Sequence, residues 1–181
     1  MRRIERPSPN QDARSAPVDM LVLHYTGMAD AASAIARLCD PAAKVSAHYV
    51  VAEDGQVLRL VDEDKRAWHA GRSTWRGREN LNDTSIGIEL EGLEDHRFEA
   101  AQYETLGSLC SAIALAYPVT GIAGHEHIAP QRKRDPGAAF DWPGLQDALG
   151  WPDVFFPPGV TRSRMPADHG PDARPSSSRA P

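Results

Sequence analysis

Two short apolar segments alternate with the two-residue period of a β-strand, and each carries a polar residue on one face. Asp19–Tyr25 reads as a strand that presents His24 at its end. Ser85–Gly92 reads as a second strand, with Glu89 on its polar face. The apolar residues expected to share a face are Leu21 with Leu23 in the first strand, and Ile86, Ile88 and Leu90 in the second. The pattern predicts a sheet whose strands pack one face on a core.

Helical patterns and one hairpin complete the predicted secondary structure. Asp30 is placed to cap a short helix, and Pro118 is placed to end a long amphipathic one. The dipeptide Asp54-Gly55 suits the tight turn of an antiparallel hairpin. The predicted segments are helices over 31–39, 100–117 and 142–149, hairpin strands over 48–52 and 56–61, a short strand over 120–123 and a long surface loop over 62–83. The first helix is expected to cover one face of the sheet.

The length of the chain limits its domain organisation. A sequence of 181 residues is long enough for one domain with a sizeable core and too short for two ordinary domains. We therefore predict a single catalytic domain over residues 18–150, preceded by an N-terminal segment over 1–17. The segment 151–181 is crowded with Pro, Arg, Ser, Asp and Gly, and disorder is expected from about Thr161.

Charge and hydropathy restrict the partners and the location. A formal charge of −5 and a pI near 5.8 give no positive field for phosphates, which argues against nucleic acid. No stretch approaches the roughly 20 apolar residues of a membrane span, and the N-terminus lacks the apolar run of a secretory signal. Cys39 and Cys110 lack CxxC spacing and read as reduced thiols, with a disulfide as the alternative. We expect a cytoplasmic monomer.

The segment Gly124–Gly137 contains two histidines and an aspartate, and its prolines and glycines predict a shaped loop rather than one helix. His125 and His127 are two residues apart, whereas the His-Glu-x-x-His zinc motif needs histidines four apart. A shaped loop can return Asp135 toward His125, and two imidazoles with one carboxylate would leave a fourth zinc position for water. From spacing alone, a solvated basic loop remains the alternative.

Five motifs in chain order carry a resemblance to a known family. They are His24-Tyr25-Thr26, Val45 to Tyr49, Ala67 to Gly71, Leu81 to Glu91, and Gly124-His125 through Asp135-Pro136-Gly137. In this order they resemble the N-acetylmuramoyl-L-alanine amidase family of the AmpD and AmiD type, over roughly residues 18–142. The resemblance implies a single-domain α/β fold, with a mixed central β-sheet flanked by helices, that is shared with peptidoglycan recognition proteins.

The resemblance also implies a zinc hydrolase and assigns its residues. His24, His125 and Asp135 match the ligands of one zinc ion per chain. Glu89 matches the catalytic carboxylate, which would move the proton of the attacking water, and Lys133 matches the lysine that would stabilise the oxyanion. The implied reaction cleaves the amide between N-acetylmuramic acid, including its 1,6-anhydro form, and the L-alanine of peptidoglycan stem peptides during muropeptide recycling.

Further residues are candidates for binding the muropeptide substrate. They are Lys44, His48, Trp68, His69, Trp75 and Arg132. The tryptophans and His69 would form walls for sugar or peptide, with a core position as the alternative for Trp68. His48 would orient the substrate or a neighbouring loop. Lys44 and Arg132 would bind carboxylates of the stem peptide.

The connection from His24 to Ser46 is shorter than in the recycling amidases of AmpD type, so in this respect the chain resembles the AmiD type. AmiD-like proteins begin with a lipoprotein signal, which this sequence lacks. The expectation is therefore an AmiD-like catalytic domain in the cytoplasm, without strict specificity for the anhydro sugar. Three alternatives stay open: an envelope autolysin, a non-catalytic peptidoglycan-binding module, and a structural zinc protein with a fourth protein ligand.

Overall fold

The computed structural model describes residues 3–161. Its strands are β1 (Arg3–Glu5), β2 (Gln11–Ala13), β3 (Met20–Tyr25), β4 (Tyr49–Val51), β5 (Val57–Arg59), β6 (Lys65–Ala67), β7 (Thr74–Trp75), β8 (Arg78–Glu79), β9 (Ser85–Leu90) and β10 (Gly121–Gly124). Its helices are α1 (Ala31–Cys39), α2 (Ala100–Ala116), α3 (His125–Ile128) and α4 (Trp142–Leu149), and short 3₁₀ turns span Leu81–Asp83 and Asp153–Phe155.

The described residues form one central six-stranded sheet in the order β1-β5-β4-β9-β3-β10. Strands β4 and β5 form the predicted antiparallel hairpin, whereas the pairs β4–β9, β9–β3, β3–β10 and β1–β5 are parallel. Two small antiparallel sheets, β2–β6 and β7–β8, lie beside it. The prediction of a mixed central sheet flanked by helices is confirmed.

The main core lies between one face of the sheet and the helices α2 and α4. The alternating residues expected to face it are all fully buried there: Leu21, Leu23, Ile86, Ile88 and Leu90. They pack with Leu106, Leu109 and Ile113 of α2 and with Trp142 and Leu145 of α4. The opposite face carries two smaller apolar clusters, one around Val22 and Trp75 and one around Val50 and Leu38 of α1. His24 and Glu89 lie on this second face, near the carboxyl ends of β3 and β9.

The predicted helix boundaries have identifiable causes. The Asp30 side chain accepts a hydrogen bond from the Ser33 backbone N–H at 2.6 Å and so caps α1. Helix α2 ends at Ala116, two residues before the proline expected to stop it. Its Gln102 side chain donates to the Glu91 carbonyl at 2.9 Å, which ties the start of α2 to the end of β9.

The segment 62–83 differs from its prediction as a long loop. It contains β6, β7, β8 and a 3₁₀ turn, which are only two or three residues long and so leave no periodic pattern in the sequence. Strand β6 pairs with β2 in a small sheet, and β1 is the edge strand of the central sheet. Residues 3–13 therefore contribute one strand to each of these two sheets. At the other end, Phe156 is buried against the core. The disorder predicted from about Thr161 lies outside the described residues, and among those residues no helix is long and apolar enough to cross a membrane.

Candidate metal centre and active site

The parallel strands of the sheet bring the candidate site together at their carboxyl ends. His24 is the fifth residue of β3, and its partner in the register of the neighbouring strand β9 is Glu89. His125 is the first residue of α3 and directly follows β10, which pairs with the other side of β3. Three adjacent strands therefore deliver two imidazoles and one carboxyl group to the same edge.

Asp135 returns to this edge through the turn that follows α3. The Ala129 carbonyl accepts hydrogen bonds from the backbone N–H groups of Arg132 and Lys133, at 2.9 and 3.0 Å. The Asp135 carbonyl accepts from the Glu126 N–H at 2.9 Å, which closes the loop onto the first turn of α3. The segment after His125 is thus one helical turn followed by a shaped loop, and the loop carries the carboxylate back to the histidines.

The side chains of His24, His125 and Asp135 converge on one point. His24 Nδ1 lies 3.0 Å from His125 Nδ1 and 2.8 Å from Asp135 Oδ2, and His125 Nδ1 lies 3.0 Å from the same oxygen. Their relative exposures are 2%, 3% and 7%. Within residues 3–161 these are the residues whose ligand atoms group closely enough to hold a metal ion.

The protonation states of these three side chains favour the binding of a metal cation between them. Burial, followed by the neighbouring His125, lowers the pKa of His24 to about 4, so that its imidazole is neutral at pH 7. Burial raises the pKa of Asp135, but hydrogen bonds and positive charge from His125 and His24, when these rings are protonated, outweigh burial and hold that pKa well below its ordinary value. The His125 Nε2–H donates to the Ala70 carbonyl at 3.0 Å, which leaves Nδ1 as a bare lone pair.

The donor set fits zinc. Two imidazole nitrogens and one carboxylate oxygen are typical of catalytic zinc sites, which keep a fourth position open for water. Tetrahedral ligands at about 2.0–2.1 Å from the ion lie about 3.3–3.4 Å apart. The distances of 2.8 to 3.0 Å found here are within a few tenths of an ångström of that spacing. A small outward shift of the three side chains accommodates the ion.

A cavity of about 340 Å³ opens above the cluster, and Glu89 and Lys133 both line it. Burial, with a further contribution from Asp135, raises the pKa of Glu89 well above its usual range, although Lys133 lowers it. Glu89 Oε2 is buried and has no hydrogen-bond partner among the described residues. A buried carboxyl oxygen without a partner is costly to keep, and such groups concentrate where a ligand or a reacting molecule supplies the partner.

The structure separates the candidate substrate-binding residues into two groups. Trp68, His69 and Arg132 line the cavity. Of the others, Trp75 packs in an apolar cluster with Val22, while His48 is fully buried and lies outside the lining. Lys44 is exposed and is also absent from the cavity wall.

The cavity also contains a basic residue that the sequence analysis did not select. Arg37 lines the wall together with Ala34 and Leu38 of the same helix. These three residues are separated by three and four positions, so they share one face of α1. The helical period was therefore a usable signal, but it carried no information about which element that face would oppose. Arg134 of the loop is a further basic residue of the wall.

Comparisons with known proteins agree with this geometry. The sequence profile of the family described as N-acetylmuramoyl-L-alanine amidase matches residues 14–138. The 1,6-anhydro-N-acetylmuramyl-L-alanine amidase AmpD of Escherichia coli K12 is 50% identical over 101 residues, which cover 55% of this chain and 55% of the relative. The chain thus spans about half the length of the curated relatives it matches first.

Solved structures extend the similarity to the fold. A selenomethionine derivative of AmpD superposes with a TM-score of 0.74 at 38% identity, over 82% of this chain and 93% of that one. The amidase AmiD of E. coli, in complex with the substrate anhydro-N-acetylmuramic acid-L-Ala-D-γ-Glu-L-Lys, gives 0.68 at 39% identity, over 76% and 60%. The profile match alone covers well over half of the sequence. The chain belongs to the N-acetylmuramoyl-L-alanine amidase family.

Proposed function

We propose that this protein hydrolyses the amide bond between N-acetylmuramic acid and the L-alanine of peptidoglycan stem peptides, with one zinc ion held by His24, His125 and Asp135. The observation that carries the proposal is the convergence of these three donors beside an unpartnered carboxyl group on the floor of an open cavity. The AmiD structure, whose substrate is an anhydromuramyl tripeptide, supports the substrate class.

Each residue of the site has a task that its environment suits. Bound zinc would supply Lewis acidity and a water whose pKa is lowered to about 7. Glu89 accepts the proton of the attacking water and delivers it to the departing alanine nitrogen. Its raised pKa makes the Glu89 carboxylate a stronger base than an ordinary glutamate, which suits the transfer of the water proton. The Lys133 ammonium lies at the same cavity and stabilises the negative charge on the carbonyl oxygen.

The cavity wall also carries basic residues that suit the binding of the peptide half of the substrate. Arg37, Arg132 and Arg134 surround the cavity, and stem peptides carry free carboxylates. The Arg132 guanidinium donates to the carbonyls of Ala70 and Arg72, so it is partly engaged in holding the loop. Among residues 3–161, the guanidinium of Arg37 makes no hydrogen bond or ion pair. We assign Arg37 and Arg134 to the stem-peptide carboxylates and Trp68 to the wall beside them.

The catalytic unit in this proposal is the predicted domain over residues 18–150 together with the strands of residues 3–13 and the core residue Phe156, acting as a monomer on recycled muropeptides in the cytoplasm. The decisive experiment incubates zinc-loaded protein with anhydro and ordinary muramyl peptides and identifies the products by mass. Release of the intact stem peptide together with the free sugar acid is the expected result. Protein that contains one zinc per chain and releases no peptide would overturn the assignment, and the same protein with Glu89→Gln serves as the matched inactive control.

A further inference from the structure

Two consecutive residues of the segment between β6 and β7 each contact one of the two histidines of the metal site. His69 Nδ1 lies 3.1 Å from His24 Nε2, and the Ala70 carbonyl lies 3.0 Å from His125 Nε2. Asn82 fixes this pair of residues, because its Oδ1 accepts from the backbone N–H groups of His69 and Ala70, at 3.1 and 2.7 Å. One short stretch of chain therefore meets the outer nitrogens of both imidazoles.

The hydrogen bonds around His69 allow only one consistent assignment of donors and acceptors. The Ser85 hydroxyl donates its single hydrogen to the Leu81 carbonyl at 2.5 Å. The Ser85 oxygen, 3.3 Å from His69 Nε2, can then only accept, so Nε2 of a neutral His69 carries the hydrogen and Nδ1 is bare. It follows that His24 Nε2–H donates to His69 Nδ1. This leaves the lone pair of His24 Nδ1 directed at His125 and Asp135.

The packing around His69 holds the ring in that position. Its side chain lies directly on Gly87 of β9, where an added Cβ would come within 2.4 Å of the imidazole Cγ. Any residue larger than glycine at this position would clash with the ring and displace it. The ring of His69 also meets that of His24 edge to face, with centroids 5.2 Å apart.

We propose that His69 is a positioning residue for the metal site: through its Nδ1 it fixes the tautomer and the orientation of His24, as the Ala70 carbonyl does for His125. The proposal rests on the proposed function insofar as the site holds zinc. Metal-bound histidines generally donate their outer N–H to a carboxylate, a carbonyl or water, and loss of that partner weakens metal affinity about 10–100-fold. Here the imidazole of His69, whose Nε2 is hydrogen-bonded to Ser85, is the acceptor for the outer N–H of His24.

Two substitutions separate this role from simple packing. In His69→Asn, the amide oxygen can take the place of Nδ1 and accept from His24, whereas His69→Leu keeps the bulk and offers no acceptor. We expect His69→Leu to weaken zinc binding about 10–100-fold, measured by competition with a chromophoric chelator, and His69→Asn to stay within about threefold of wild type. The matched control is His48→Asn, because His48 is also buried and its Nδ1 also accepts a hydrogen bond, from the Gly87 backbone N–H, but it contacts no proposed ligand.

The orientation is also measurable in the unaltered, metal-free protein. Long-range ¹H–¹⁵N spectra of the histidines should show His69 protonated on Nε2 and bare on Nδ1. A hydrogen on Nδ1 of His69, a loss below about fivefold in His69→Leu, or equal losses in the two variants would each overturn the proposal. Wild-type protein that binds no zinc would instead refute the proposed function, and the histidine spectra would still decide the hydrogen-bond direction.

Discussion

Three histidines buried around the site tie the stability of the metal-free protein to pH. Burial, the largest cause in each case, lowers the pKa of His48 to about 3 and that of His24 to about 4, and it lowers the pKa of His69 well below the ordinary value of 6.5. In the unfolded chain each would take up a proton near pH 6.5. The contribution of these three histidines to the free energy of unfolding is therefore fully present above about pH 7. It is lost as the pH falls below 6.5, because only the unfolded state gains protons there.

The magnitude follows from the two values of pKa. Between pH 6.5 and pH 5 His48 of the unfolded state goes from about half to almost fully protonated, while His48 of the folded state stays almost entirely neutral. About 1.5 pH units at about 1.4 kcal/mol per unit gives about 2 kcal/mol, and His24 adds a similar amount. Glu89 acts in the opposite sense, since its raised pKa makes the folded state take up a proton first. A net loss of even 2–4 kcal/mol is a large part of the roughly 5–15 kcal/mol that keeps a domain folded.

A single substitution isolates one of these protons. In His48→Asn the amide oxygen can still accept from the Gly87 N–H, which donates to His48 Nδ1 at 2.9 Å, but the side chain no longer titrates. Urea unfolding of metal-free protein at pH 8, 7, 6 and 5 should show a plot of unfolding free energy against pH that is shallower for the variant, by about 1.4 kcal/mol per unit below pH 6. The control is His96→Asn, at an exposed histidine. Parallel curves for wild type and His48→Asn would refute the reasoning.

Further predictions concern the metal, the chemistry and the packing. His24→Ala, His125→Ala and Asp135→Ala should each lose zinc in elemental analysis, since two remaining ligands make a poor site; full retention by any of them would remove that residue from the ligand set. Glu89→Gln should keep zinc and fold but lose most turnover, because an amide cannot accept the water proton, and near wild-type kcat would assign the base elsewhere. Gly87→Ala should reduce stability by about 1–3 kcal/mol and weaken zinc binding, as its Cβ would enter the imidazole packed on it; unchanged melting and affinity would contradict this. Anhydro and ordinary muramyl peptides should differ in kcat/KM by about tenfold or less, and a preference above about a thousandfold would show a closed sugar pocket.

The sequence predicted the elements that carry a strong local pattern. The alternation in β3 and β9 and the amphipathic stripe of α2 are properties of the chain itself, so their positions were predictable to within a few residues. Strands β6 to β8 were missed because pairs and triplets of residues show no period, and their pairing depends on partners that are distant in the chain. Residues 3–13 were missed as part of the sheets for the same reason.

The site shows the same division between local and long-range information. The family resemblance supplied the convergent set of His24, His125, Asp135 and Glu89, whereas spacing alone left the loop after His125 ambiguous. The contacts of His69 were not predictable, because they depend on how close the segment between β6 and β7 comes to β9. Trp75 shows the reverse error: an aromatic residue in a polar segment suggested a binding wall, and the fold places its side chain in an apolar cluster.

The register of β3 against β9 links the core to the chemistry. His24 is paired with Glu89, and the residues before them in each strand, Leu23 and Ile88, are paired on the opposite face within the core. A slip of one residue would turn Glu89 into the apolar core and Ile88 toward the cavity. Burying an unpaired carboxyl group in that core would cost several kcal/mol, so the slipped state is excluded by the packing itself. The apolar alternation therefore does more than stabilise the sheet, since it sets the proposed base beside the proposed metal ligand.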